Sequence, residues 1–160
     1  MAPSGELLEE AVALLATQFG PARLNGQRYP FDYTDYYAKE MGADLVKGLT
    51  WFGKPVDLSV LADAKRQTMA LERQFAVVTA DGPSRRVNID PGLVTVDSLV
   101  LASTKYSGHR ICLAAGIYAE TTLLFRKGQY EPMPWSYLDY QSELVQEFLQ
   151  AIRRELLGKV

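Results

Sequence analysis

From residue 109 to 133 the chain alternates apolar runs with tight-turn residues, and no other stretch restricts the fold as much. Ala115-Gly116 and Lys127-Gly128 divide it into a segment over 109–113, one over 117–126 and a third ending near Met133. That spacing predicts a β-meander. A helix is expected over roughly residues 139–157, where Leu144, Phe148, Ile152 and Leu156 recur every fourth position and Gly158 supplies a stop. Strands that follow one another without crossover helices pair antiparallel, so the class is α+β rather than alternating βαβ.

The first half adds helices. Ser4 suits an N-cap, and Glu6 lies in the first turn, where the helix dipole favours a carboxylate. Leu7, Leu8, Ala11, Leu14 and Leu15 then recur at helical spacing until Gly20-Pro21. Asp57 or Ser59 caps a second helix reaching about Phe75, with Leu61, Ala64, Met69 and Leu71 as its apolar side. Between these helices, residues 22–30 carry the turn signal Asn25-Gly26 and predict a short strand or an irregular loop. Residues 31–42 fit neither period, and 44–52 predict a strand ended by Gly53-Lys54-Pro55. Further on, Gly82-Pro83 predicts a loop, and 86–90 alternates like a half-exposed strand that Pro91-Gly92 ends. Thr95 is expected to cap a short apolar helix through Leu99, Val100 and Ala102. The expected architecture is a largely antiparallel sheet of about five strands with a C-terminal β-meander, packed against three to four helices. At 160 residues it reads as a single domain over 1–160, because halves would have thin cores.

Charge and composition remove several function classes. Seventeen Lys and Arg against nineteen Asp and Glu give a net charge of −2, which argues against broad adhesion to nucleic acid or anionic lipid. One cysteine, Cys112, and one histidine, His109, allow neither an internal disulfide nor a Cys/His metal pattern. Met1-Ala-Pro-Ser-Gly-Glu6 lacks the basic and apolar regions of a signal peptide, and the apolar stretch over 111–119 falls short of the ~20 residues that span a bilayer. A cytoplasmic protein is expected.

Candidate chemistry begins with Glu120, which stands in the middle of Ile117-Tyr-Ala-Glu-Thr-Thr-Leu-Leu-Phe125 on the side of Tyr118, Thr122 and Leu124. A carboxylate there costs several kcal/mol unless a cation, metal or donor set offsets its desolvation. A three-residue turn over 114–116 sets Arg110 opposite Glu120, and a register one position away sets His109 there. Adjacent strand residues face opposite sides, so only one of the two is expected to reach it. The pair is either a structural ion pair or part of a working site, with Glu120 and His109 as catalytic groups. In Arg86-Val-Asn-Ile-Asp90, Asn88 and Asp90 share a face as i and i+2 residues, while Val87 and Ile89 point to the core. That edge is a candidate for metal or hydroxyl binding, or an Asx turn that holds a loop closed. Lys105, His109 and Arg110 surround a Gly-containing loop suited to phosphate. Asp32, Asp35 and Glu40 are interleaved with Tyr29, Tyr33, Tyr36 and Tyr37, which offer stacking faces and hydroxyls. The stretch Met133-Pro-Trp-Ser-Tyr-Leu-Asp-Tyr140 supplies a neighbouring wall or covers the sheet edge. The phosphate loop G-x-x-x-x-G-K-[ST], G-x-G-x-x-G, G-x-S-x-G and H-E-x-x-H are absent.

Five ordered segments, 30–42, 86–92, 102–110, 116–123 and 134–140, resemble the prokaryotic domain-of-unknown-function family 4416 over nearly the whole chain. The resemblance implies no established activity. Members sometimes carry the label of GTP-binding protein, yet Thr104-Lys-Tyr-Ser107 matches only half of a guanine-reading Asn/Thr-Lys-x-Asp segment. The resemblance also implies an apolar strand before the first helix. This chain begins almost at that helix, which predicts an exposed edge or a homodimer contact in its place.

Together these readings predict a small-molecule or nucleotide-handling enzyme. Glu120, His109 and Asp90 are its catalytic groups. Lys105, Arg110, Asn88, Arg86 and Tyr36 hold phosphate or substrate, and Asp32, Asp35 and Asp90 hold Mg²⁺ or Mn²⁺. The alternatives are a non-catalytic module that binds a nucleotide, RNA or protein, and a structural polar network with no ligand.

Overall fold

Helix α1 (Gly5–Phe19) starts where Ser4 Oγ accepts the Leu7 backbone N–H, and it stops at Gly20, whose φ of 89° a side chain would strain. The computed structural model describes residues 1–80 and 82–158. The chain divides into two units, Met1–Pro55 with Gln67–Ile89 and Val56–Arg66 with Asp90–Val160. In the first unit Leu7, Leu8 and Ala11 of α1 form a buried cluster with Ala2 and Val87, and Val46, Phe75 and Ile89 pack against it. The remaining elements are short. Strand β1 (Leu24–Asn25) pairs with β4 (Thr50–Trp51), and β2 (Tyr29–Phe31) pairs with β3 (Leu45–Lys47). The strand expected over 44–52 is thus two strands, parted at Gly48. The 31–42 segment becomes a 3₁₀ turn at Asp35–Tyr37, capped by Thr34, and one helical turn, α2 (Ala38–Met41).

Asp57 caps a 3₁₀ turn that leads into α3 (Leu61–Gln74), the helix through which the chain passes from the second unit to the first. Its buried stripe is Leu61, Ala62, Lys65, Thr68, Leu71 and Glu72, rather than the fully apolar side expected with Ala64 and Met69. Strands β5 (Val77–Thr79) and β6 (Gly82–Ser84) pair as a hairpin, so Gly82-Pro83 lies in a strand and not in a loop.

No strand forms over 86–90. The backbone groups there are met elsewhere: Asn88 N–H donates to the Met1 carbonyl, the Met1 amino group donates to the Asn88 carbonyl, and Ile89 N–H donates to Glu72 Oε1 at 2.6 Å. With those partners the segment needs no ladder. Val87 is nevertheless buried and Ile89 packs on the core, as the alternation required.

The second unit is built on a five-stranded antiparallel sheet, which makes the protein mixed α+β. Its strands are β7 (Gly92–Val94), β8 (Ser98–Ser103), β9 (Ile111–Ala114), β10 (Ile117–Arg126) and β11 (Gln129–Pro132). They run in the order β11-β10-β8-β7, with β9 also on β10, and β9 to β11 form the expected meander. The apolar helix expected after Thr95 is instead strand β8. Thr95 Oγ1 does accept the N–H groups of Asp97 and Ser98, but it closes a turn between β7 and β8. A six-residue segment with four consecutive apolar residues between two available partner strands gains more from the ladder than from one helical turn. Helix α4 (Glu143–Leu156) begins at the Ser142 cap, after a 3₁₀ turn at Leu138–Gln141, and buries Val145, Phe148, Leu149 and Ile152.

Strand β10 organises this unit. β8 lies along one edge of it from Tyr118 to Leu124. The other edge is shared end to end by β9, which pairs with residues 117–119, and β11, which pairs with residues 123–126. The interval between them is closed by the chain after β11: Trp135 Nε1 donates to the Thr121 carbonyl, and Met133 N–H and Ser136 Oγ donate to the Thr122 carbonyl.

Candidate functional site on the central sheet

Glu120 stands beside that interval. The hairpin before it turns on Ala115 and Gly116, whose φ is 72°, and the register then shifts between Ile117 and Tyr118. Beyond the shift Ile111 faces Ala119, so continuing the register brings Arg110 level with Glu120. Arg110 Nε donates to Glu120 Oε2 at 2.6 Å, and His109 Nε2 lies 3.0 Å from the same oxygen. Both neighbours therefore reach one carboxylate, contrary to the expectation that only one would. The reason is local. Residues 109 and 110 precede β9 and lie in a turn closed by Arg110 N–H to the Ser107 carbonyl, so strand alternation does not apply to them.

The surrounding groups hold this arrangement. Trp135 stacks on the His109 ring at 4.3 Å with planes 10° apart. Ser107 Oγ is 3.0 Å from His109 Nδ1, and Arg110 Nη1 donates to the Lys105 carbonyl. The Glu120 side chain is 11% exposed and that of His109 is 23% exposed, so the cluster is sheltered yet open to solvent. A carboxylate only accepts, so Nε2 is the nitrogen that donates to Glu120, and in the neutral ring Nδ1 is then the acceptor that faces Ser107. The Lys105 side chain is exposed beside the cluster. Tyr106, 76% exposed, meets Tyr118 edge-on.

Asp90 belongs to the same unit. Ala102 N–H donates to the Pro91 carbonyl and Gly92 pairs with Leu101, which in turn pairs with Glu120. Gly92, Leu101 and Glu120 thus form one row, and Asp90 lies two positions before Gly92, ahead of the strand. Its partner is Lys65 at 3.1 Å, a lysine only 5% exposed on the stripe of α3.

The other candidates lie in the first unit. Asn88 is buried and its Oδ1 accepts from Arg85 Nη1, while Arg86 is exposed. Asp32, Asp35 and Tyr36 are exposed on the loop after β2. Among the described residues no group of three or more His, Cys, Asp or Glu is placed to hold a metal ion. Glu40 of α2 ties down Arg85, accepting from the Arg85 backbone N–H, Nε and Nη2. Those bonds hold the Arg85 guanidinium pKa above its already high value, against the opposing effect of burial.

Sequence reasoning passed over Ser107, Lys65 and the Glu40–Arg85 pair. Lys65 had a signal, a cation four residues after Leu61 on the buried side of an amphipathic helix. Ser107 had none beyond its place two residues before the lone histidine.

The family model described as Domain of unknown function (DUF4416) matches residues 1–156. No curated protein and no solved structure matches the chain.

Proposed function

Since the chain belongs to the DUF4416 family, whose description carries no reaction, we propose its function from the side chains themselves: a small-molecule-handling enzyme acting on an anionic substrate such as a nucleotide. His109 is its general acid–base, Glu120 orients the ring, and Arg110 with Lys105 attracts the anion. The observation that carries this reading is the convergence of His109 and Arg110 on one oxygen of Glu120. A base in the middle of a fixed hydrogen-bond chain has its proton placed before substrate arrives, which is the arrangement general acid–base catalysis uses. Arg110 spends Nε and one Nη1 hydrogen on protein acceptors, and a planar fork with further N–H groups matches phosphate or carboxylate oxygens. Mg²⁺ or Mn²⁺, in this reading, arrives with the phosphate oxygens of the substrate.

A second reading, a non-catalytic nucleotide, RNA or protein binding module, draws support from the exposed rings of Tyr106, Trp135 and Tyr137, which offer stacking faces. Calorimetry of the whole protein against inorganic phosphate and a panel of nucleotides, with and without Mg²⁺, tests both. Either reading predicts binding that weakens at least tenfold in Arg110→Ala. The enzyme also converts the bound compound, as chromatography of the mixture reveals, while a binding module returns it unchanged. A folded protein silent to the whole panel overturns the anionic substrate of the first reading and the nucleotide-binding form of the second.

A further inference from the structure

Ser107, His109 and Glu120 are joined in series, 3.0 Å from Ser107 Oγ to His109 Nδ1 and 3.0 Å from His109 Nε2 to Glu120 Oε2. We propose that Ser107 is a nucleophile and that the substrates of this site are esters or thioesters of acids that carry a second, anionic group. This rests on the reading of His109 as the acid–base and adds the reaction class. A hydroxyl attacks only when a base takes its proton, and the base must be held by a third group in the tautomer that leaves one ring nitrogen free to accept. Here the carboxylate fixes the proton on Nε2, and Nδ1 faces the hydroxyl. The use of the two nitrogens is the reverse of that in the serine proteases, but the chemistry asks only that one accept and the other be held.

The turn itself supplies the rest of the site. Arg110 N–H closes it on the Ser107 carbonyl at 3.0 Å, which leaves Gly108 and His109 as its two central residues. Among the described residues their backbone N–H groups have no hydrogen-bond acceptor, and donors of that kind beside a nucleophile serve a developing oxyanion. A Cβ built on Gly108 would meet nothing within 4 Å, so the space beside the middle of the turn is open. The guanidinium of Arg110 provides the anchor for the anionic group of the substrate.

The step balances without a further reagent. Ser107 Oγ bonds to the acyl carbon while its proton passes to Nδ1. The tetrahedral oxyanion collapses, and the alcohol or thiol leaves with that proton. Water then attacks the acyl-serine, gives a proton to Nδ1, and the acid departs as Ser107 Oγ recovers it.

The test is peptide mapping by mass spectrometry of the full chain after treatment with a fluorophosphonate, which loses fluoride when an activated serine captures it. The expected result is one adduct on Ser107, its formation slowed at least 100-fold in His109→Ala and abolished in Ser107→Ala. The wild-type map decides the question even if a variant fails to fold. No adduct on folded wild-type protein, or an adduct elsewhere, overturns the assignment of Ser107. If Arg110-dependent binding and conversion of an anion persist in that case, the acid–base reading stands and only the nucleophile falls. If the adduct forms on Ser107 but every anion in the panel is silent, the nucleophile stands and the anionic substrate class falls.

Discussion

Two ion clusters, one in each unit, use the same residue types to different ends. In the first unit the Arg85 fork lies along Glu40 and engages both carboxylate oxygens, and its remaining arm is held by Asn88. Ser84 Oγ donates to the Glu40 carbonyl as well, so the donors around this half-buried pair are taken up within the chain. In the second unit Arg110 and His109 both meet a single oxygen, Oε2, and among the described residues nothing donates to Glu120 Oε1. A side-on fork with every arm held fixes a loop. An end-on contact shared with an imidazole leaves acceptors and donors for something outside the chain. The difference lies in how the donors are distributed, not in how many charges are present.

That contrast is broken or sharpened by substitution. The largest effect is expected at the open cluster: His109→Ala lowers turnover of a bound substrate by about 10²–10³-fold while the melting temperature moves little, as steady-state kinetics and calorimetric melts of the same preparations reveal. The reverse holds at the closed cluster, where Arg85→Ala costs about 2 kcal/mol in urea denaturation and leaves ligand binding intact. Equal stability losses at Arg85 and Arg110 would erase the distinction.

Tyr130→Phe removes a buried hydroxyl that donates to the Thr95 carbonyl at 2.7 Å, for about 1 kcal/mol. Burial raises the pKa of this phenol, partly countered by Arg153. The folded state therefore keeps the proton after the unfolded chain has lost it. Its contribution is complete below roughly pH 10 and is lost as pH rises through the folded value. The Phe variant should show a flatter alkaline limb of stability against pH. Ser142→Ala removes the cap of α4, again for about 1 kcal/mol. The smallest effect belongs to Asp63→Ala, which deletes an exposed i,i+3 partner of Arg66 and shifts the denaturation midpoint by less than about 0.5 kcal/mol.

Much of the second unit was legible in the sequence because its elements carry their own signals. Gly116 and Gly128 mark the turns of the meander, and Arg110 level with Glu120 was one of the two registers the spacing across the first turn allowed. Ser4 and Gly20 likewise bound α1. Residues 86–98 were misread because their partners are remote: Met1 and Glu72 satisfy the backbone at 88 and 89, and the Thr95 hydroxyl caps a strand turn with the same bonds it would use at a helix start. At the site, Glu120 betrayed itself as a carboxylate among apolar neighbours. Ser107 and the stacking of Trp135 on His109 follow from a turn and a strand gap that no local pattern encodes.

His109 is the sole histidine, so nitrogen NMR of the imidazole reports on this site without assignment ambiguity. In the neutral form the signals should place the proton on Nε2 and an acceptor at Nδ1, and the Nδ1 resonance should move in Ser107→Ala. A proton found on Nδ1, with spectra indifferent to Ser107, would contradict the relay on which the proposed chemistry depends.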